Sequence, residues 1–335
     1  MRWDDLYVNS CAMALGAREP VETAVADGRY DPAFHEAHDY LSIAVAPDRD
    51  AAALAVDAAR AAIARSGAAP DAIGAFIHTY TTPQGPDGLQ PALYVQGRLA
   101  DGRARAIEVR QGCNGAIAAL EVGCLYLAGG TGLRTAVLTT GDKHHGEADR
   151  YRDDQGCVPA DGATAAVLSR GDGIARVLST EVVGDGRFTD AADVDPRRFA
   201  DRREYRAELK RRLLPMLQAM AEAKRASLRI ALDDAGVSST GVGRWVLPNT
   251  GRFMVDRDFR AEFGIDDSRT VWDWGRTTGH LTVGDQIAGL THLLETGALE
   301  PGERVVLIAD GVGFSFGCAV LEVVRKPAWP TDDDH

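Results

Sequence analysis

One order of helical and strand-like segments runs through this 335-residue chain twice, and that repetition constrains the fold more than any other feature. In the first pass, the alanine-rich stretch 50–66 favours helix and Gly67 stops it. Residues 73–78 and 105–109 read as short strands. Residues 114–128 are apolar nearly all round, which predicts a helix buried on most sides. Residues 135–140 and 163–168 read as buried strands. The second pass follows Gly173. A long charged helical region covers 204–235, with a break expected at Pro215. Residues 245–247 and 270–272 read as short strands. Residues 281–296 carry Val283, Ile287, Leu290 and Leu294 at helical spacing, and 304–309 and 318–324 read as strands. Strands separated by helices predict an α/β fold with largely parallel sheets.

The two passes match at one chemically loaded point. Gly112-Cys113 precedes the buried helix of the first, and Gly279-His280 precedes the matching helix of the second. Each helix then leads through a glycine to a strand. A duplicated unit related by a pseudo-two-fold axis would bring Cys113 and His280 together at facing helix N-termini. The expected division is 1–172 for the first half, 173–328 for the second and 329–335 for a tail. Its three consecutive aspartates predict disorder from Pro330 to His335.

Composition excludes several classes of function. Hydrophobic residues make up 45% and charged residues 26%, as in a soluble globular protein. A net charge of −12 argues against general nucleic-acid binding. No run of eighteen apolar residues occurs, so no transmembrane helix is expected. The start, MRWDDLYVNS, has acidic residues where a signal peptide would carry positive charge and an apolar run. Five cysteines without C-x-x-C spacing predict neither a disulfide framework nor a metal site, and place the chain in a reducing cytoplasm.

Cys113 lies in Arg110-Gln-Gly-Cys-Asn-Gly-Ala116, where a strand gives way to a helix. The positive end of the helix dipole and unpaired backbone N–H groups there favour thiolate, the nucleophilic form. A buried structural cysteine, as expected for Cys124 and Cys318, is the other reading. His280, in Arg276-Thr-Thr-Gly-His-Leu281, is the natural base, or else a turn residue capping the helix. Asp310 follows a strand, where α/β folds build sites. It could orient an imidazole, or simply satisfy N–H groups of the turn. The glycine-rich run 311–317 precedes a strand, so it is no dinucleotide fingerprint; such a turn is expected to offer N–H groups to an oxyanion.

Four motifs then occur in one order: Gln111-Gly-Cys-Asn-Gly-Ala116, Gly162-Ala-Thr-Ala-Ala-Val-Leu168, Val246-Leu-Pro-Asn249 and Gly311-Val-Gly-Phe-Ser-Phe-Gly317. Together they resemble the ketoacyl-ACP synthase III family of the thiolase superfamily over nearly the whole chain. The resemblance implies a five-layered αβαβα fold, a homodimer, no metal or redox cofactor, and a thioester formed on Cys113. It implies an oxyanion hole from the N–H groups of Cys113 and Val312. Condensing members carry histidine where this chain has Asn249, and asparagine where it has His280. That exchange puts decarboxylative carbon–carbon bond formation in doubt and leaves acyl transfer intact. A divergent branch in natural-product biosynthesis is similar: it moves acyl groups to a hydroxyl or amine with a Cys–His–Asp triad, which Cys113, His280 and Asp310 would fit.

The resemblance therefore implies a donor thioester on an acyl carrier protein or coenzyme A and a small-molecule acceptor. Asn249 would hydrogen-bond the acyl carbonyl or the acceptor. An acidic carrier needs a basic patch. Arg252, Arg257 and Arg260 form one, favoured because the family docks its carrier near this region. Arg197 to Arg212 is a second basic run, read first as a solvated helix face. A ketosynthase that still condenses, a non-catalytic partner subunit of the same fold, and a hydrolase of misloaded carriers are the rival readings.

Overall fold

The computed structural model describes residues 1–100, 103–144, 150–152, 156–194, 198–199 and 202–329. The expected tail 330–335 and Arg197 lie outside them.

Eleven strands are described: β1 (Leu6–Leu15), β2 (Ala17–Pro20), β3 (Ser42–Val45), β4 (Ala75–Thr79), β5 (Arg105–Val109), β6 (Thr135–Asp142), β7 (Gly162–Arg170), β8 (Ala175–Gly184), β9 (Arg244–Val246), β10 (Arg304–Gly311) and β11 (Ser315–Val323). Nine of them form one sheet in the order β5-β4-β6-β7-β1-β8-β11-β10-β9, and β2 pairs with β3 alone. Strands from before residue 171 fill one half of the sheet and those after residue 174 the other. Within the sheet the halves meet where Tyr7 and Val8 of β1 pair with Arg176 and Ala175 of β8, beside an isolated bridge from Arg2 to Ser179.

Five helices matter for the site: α1 (Ala51–Ser66), α2 (Gly115–Ala128), α3 (Arg202–Leu213), α4 (Leu217–Ala235) and α5 (Asp285–Glu295). Nine of the fourteen residues of α2 and ten of the eleven of α5 are buried, so both helices are covered on nearly every side. One hydrophobic cluster explains this. It joins Ile117 and Leu120 of α2 and Ile287 and Leu290 of α5 to Ile77 and Leu138 of the first half and to Val246 and Leu307 of the second. The central helices are thus packed between the two halves. On the outer faces, α1 packs on Val137 and Val167, while Leu228 and Leu232 of α4 pack with Val306 and Val320. The five layers run α1, sheet, α2 with α5, sheet, α4. β6 and β10 are buried almost throughout because both their faces are covered.

The expectation of largely parallel sheets is corrected. Only β4–β5, β4–β6 and β9–β10 are parallel; the other five pairings of the large sheet are antiparallel. Each half ends in a hairpin-like return, β6–β7 and β10–β11, which needs no crossover helix. The strand expected at 270–272 is also absent. Trp272 instead starts a short helix, Trp272–Gly275, where its indole N–H donates to Asp39 at 3.1 Å and its ring packs against Tyr40.

Candidate active site

The thiol and the imidazole meet, as the repeat predicts. Cys113 Sγ lies 3.5 Å from His280 Nε2. Two glycine turns make this possible. Gly112 has φ +56°, and a Cβ there would come within 2.9 Å of the Val312 nitrogen. Only glycine supplies both the left-handed backbone and the clearance. The turn carrying Val312, between β10 and β11, therefore sits directly against the turn carrying Cys113. On the other side, Gly279 has φ +85°, and a Cβ there would meet Ile43 and Ala160 at 2.8 and 3.1 Å. The next residue, His280, is clamped by backbone bonds in both directions, N–H to Val158 at 3.0 Å and C=O from Ala160 at 2.8 Å.

The imidazole is held by a carboxylate that the sequence reading did not single out. His280 Nδ1 lies 2.6 Å from Asp285 Oδ2. Asp285 is buried at the first residue of α5, where the helix dipole favours an anion. Its Oδ2 also accepts from the Asn249 N–H at 2.7 Å, and its Oδ1 from the Leu281 N–H at 2.8 Å. With Nδ1–H donated to the carboxylate, Nε2 is the nitrogen aimed at the sulfur. Burial would lower the His280 pKa. The Asp285 charge and hydrogen bond, the charge of Cys157 and the Cys113 contact outweigh it and raise the value well above the ordinary one. The pairing therefore stabilises the fold fully below pH about 6.5 and is lost as pH rises through the elevated value.

Asp310 is corrected as the residue orienting His280. Side chains alternate along β10: Ile308 joins the cluster under α4 and Ala309 the central one, so Asp310 points back toward α4. There its Oδ2 pairs with Lys224 Nζ at 2.7 Å, and that ammonium also sits 4.2 Å over the Phe259 ring. A signal for Asp285 was present in the sequence: an acidic residue opening a helix five positions after the histidine.

Asn249 is buried and does two things with its backbone. Its N–H holds Asp285, and its C=O accepts from the Tyr40 hydroxyl at 2.5 Å. Its side-chain Nδ2 is buried without a partner among the described residues, an amide donor still to be satisfied.

The arginines expected to dock a carrier are ion-paired. Arg252 pairs with Asp256 and Asp267, Arg257 with Asp258, and Arg260 with Asp256 and Asp267. Three cations facing three carboxylates leave no excess positive charge. In the other basic run, on α3, Glu208 pairs Arg211 and Arg212, and Arg203 and Lys210 are exposed.

Known proteins share this architecture. The sequence matches the family described as 3-oxoacyl-[acyl-carrier-protein (ACP)] synthase III over residues 107–186, and the C-terminal part of that family over residues 232–323. It is 30% identical over 273 residues to the beta-ketoacyl-[acyl-carrier-protein] synthase III of Rhizorhabdus wittichii, covering 80% of this chain and 82% of the relative. The solved structure of ChlB3, named as an acyltransferase, superposes with a TM-score of 0.91 at 29% identity, covering 97% of this chain and all of that one. The 3-oxoacyl-(acyl carrier protein) synthase III of Pseudomonas aeruginosa superposes with a TM-score of 0.79 at 20% identity, over 96% of this chain and 99% of that one, and shares the fold.

Proposed function

The chain belongs to the 3-oxoacyl-[acyl-carrier-protein] synthase III family, and we propose that within it the protein is an acyltransferase. It takes an acyl group from a carrier-protein or coenzyme A thioester onto Cys113 and passes it to a hydroxyl or amine of a small acceptor. The observation that carries this reading is the Cys113–His280–Asp285 line, 3.5 Å and then 2.6 Å. An imidazole with one nitrogen on a carboxylate and the other on a thiol is built to move protons at sulfur and at an entering nucleophile. The ChlB3 likeness supports the same reading.

In the first step Cys113 Sγ, its proton held on His280 Nε2, attacks the donor carbonyl, and His280 then gives that proton to the departing carrier sulfur and is left neutral. The oxyanion accepts hydrogen bonds from the N–H groups of Cys113 and Val312, and collapse expels the carrier thiol. In the second step the acceptor enters. His280 Nε2 takes its proton as the new ester or amide bond forms, and the Cys113 thiolate leaves. The protein acts as a homodimer, and an acidic carrier would approach one of the two arginine-bearing segments, 252–260 or α3.

A condensing reaction is the second reading. The unpartnered Asn249 amide favours it, since that donor could hold an enolate oxygen. A panel of acyl carriers and acyl coenzymes A, read by intact mass for an adduct on Cys113 and by carbon dioxide release, decides. The expected result is an adduct that transfers to oxygen or nitrogen with no carbon dioxide. Carbon dioxide release from a malonyl donor with a carbon–carbon product overturns the transfer reading, and free acid as the main product identifies a hydrolase.

Gly112→Ala tests the oxyanion hole. The methyl group meets the Val312 nitrogen at 2.9 Å and sits on a φ of +56°. Displacing that one donor is expected to slow acylation roughly 10²–10³-fold, measured by the rate of adduct formation.

A further inference from the structure

A second buried carboxylate lies on the far side of the catalytic turn. Asp142 ends β6 and is 1% exposed. Its Oδ1 accepts from the N–H groups of Thr81 and Thr82 at 2.9 and 2.7 Å, and from their hydroxyls at 3.1 and 2.7 Å. Its Oδ2 accepts from the hydroxyl of Thr282. Thr81 and Thr82 begin the loop 80–90, which follows β4. Gln84 fastens the same loop by donating to the carbonyls of Gly141 and Thr82 at 2.8 and 2.9 Å. Behind Gln84 stands His78, whose Nε2 faces the Gln84 oxygen at 3.1 Å and whose Nδ1 faces the Thr139 hydroxyl at 2.8 Å. Burial lowers the His78 pKa to about 4, so it serves here as a neutral strut.

Thr282 occupies the middle of the turn that joins His280 to Asp285. Its φ is +53°. A β-branched residue is strained in that region and persists only where its surroundings hold it. The turn must also place Asp285 Oδ1 on the Leu281 N–H at 2.8 Å and Oδ2 on the His280 ring at 2.6 Å. Its anchor on the β6 side is the Asp142 carboxylate.

We propose that Asp142 is a positioning residue: through Thr282 it fixes the turn that sets Asp285 against His280, and it joins that turn to the 81–84 loop as one unit. The inference builds on the reading of His280 as the proton-moving group, but it does not depend on which acyl group or acceptor is used. Three charged or titratable groups act on the ring: Asp285 from α5, Cys113 from the turn before α2, and Cys157 from the segment clamped to His280. Asp142 acts on it only through the backbone of the turn.

The test reads His280 itself in the full-length protein. Histidine labelled at the ring carbon gives an NMR titration, with the His280 signal assigned by its loss in His280→Gln. Thr282→Val keeps the shape and branching but drops the hydroxyl. Asp142→Asn keeps the size but drops the charge. Both are expected to lower the His280 midpoint by about one unit or more, because the Asp285 carboxylate is no longer held in line. Thr282→Ser, which keeps the hydroxyl, is expected to stay within about 0.3 of the parent value. If Asp142→Asn does not fold, Thr282→Val decides, since it leaves the bonds to Thr81 and Thr82 intact and removes, besides the Asp142 bond, the hydroxyl's local contact with the Leu281 carbonyl at 2.8 Å. A lower melting temperature with an unmoved midpoint would mean a purely structural carboxylate and overturns the proposal. No acyl donor enters this measurement, so its failure is separable from failure of the transferase reading.

Discussion

Replacing Cys113 with alanine is expected to abolish the acyl adduct and to reduce turnover by on the order of 10⁴-fold or more, with little change in melting temperature. The size follows from geometry: Cys113 is the thiol on His280 Nε2 at 3.5 Å, whereas Cys157, partly buried, acts on that ring through its charge. Cys11, Cys124 and Cys318 are buried, and burial pushes their thiols up, Cys11 to about 12. None of them faces His280 Nε2, whose contact is Cys113 Sγ. The small stability effect follows from position. Cys113 is only partly buried, at a turn held by backbone bonds, so a truncated side chain leaves no sealed cavity. Intact-mass spectrometry after incubation with the acyl panel gives the first number and a thermal melt the second. Normal turnover in Cys113→Ala would remove the nucleophile from the mechanism. Loss of activity together with a large drop in melting temperature would instead mark Cys113 as a packing residue.

The parts of this molecule legible in its sequence are those whose environment is uniform. α2, β6 and β10 are covered on both sides, so their apolar runs announced them. The meeting of Cys113 and His280 was legible for a different reason: the repetition of elements stood in for geometry that no local pattern holds. β1 and β8, the strands that join the halves, went unread. Both mix polar with apolar residues, and their buried hydroxyls are satisfied at a distance, Ser10 by the Ala62 carbonyl and Ser179 by that of Ala231. Residues 270–272 looked like a strand because threonine, valine and tryptophan favour one; the Trp272–Asp39 bond overrode that preference. Arginine count is silent on pairing in the same way. The residues from 252 to 260 read as a patch until Asp256, Asp258 and Asp267 were seen to face them. Sequence records a charge but not the charge opposite.

The aspartates show the same limit at the centre of the mechanism, and two matched substitutions separate them. Asp285→Asn is expected to slow acylation and transfer roughly 10²–10⁴-fold while leaving the fold intact. The amide removes the charge that raises the His280 pKa, so the ring becomes neutral within the physiological range, and the amide can hydrogen-bond the wrong tautomer. Activity that persists in the parent across neutral pH should then depend steeply on pH in the variant. Asp310→Asn is expected to do the reverse. It takes the counter-charge from Lys224, which is buried and whose ammonium lies 2.7 Å from Asp310, and should cost about 1–3 kcal/mol of stability. Adduct formation at 25 °C should change by no more than about twofold, because the Asp310 carboxylate pairs with Lys224 on α4 while Asp285 holds the imidazole. Rates of adduct formation and thermal melts on the two variants give the comparison. If Asp310→Asn loses the adduct while Asp285→Asn keeps it, the carboxylate on the ring is not the one that orients it for reaction, and the triad passes to the strand end that sequence reasoning first chose.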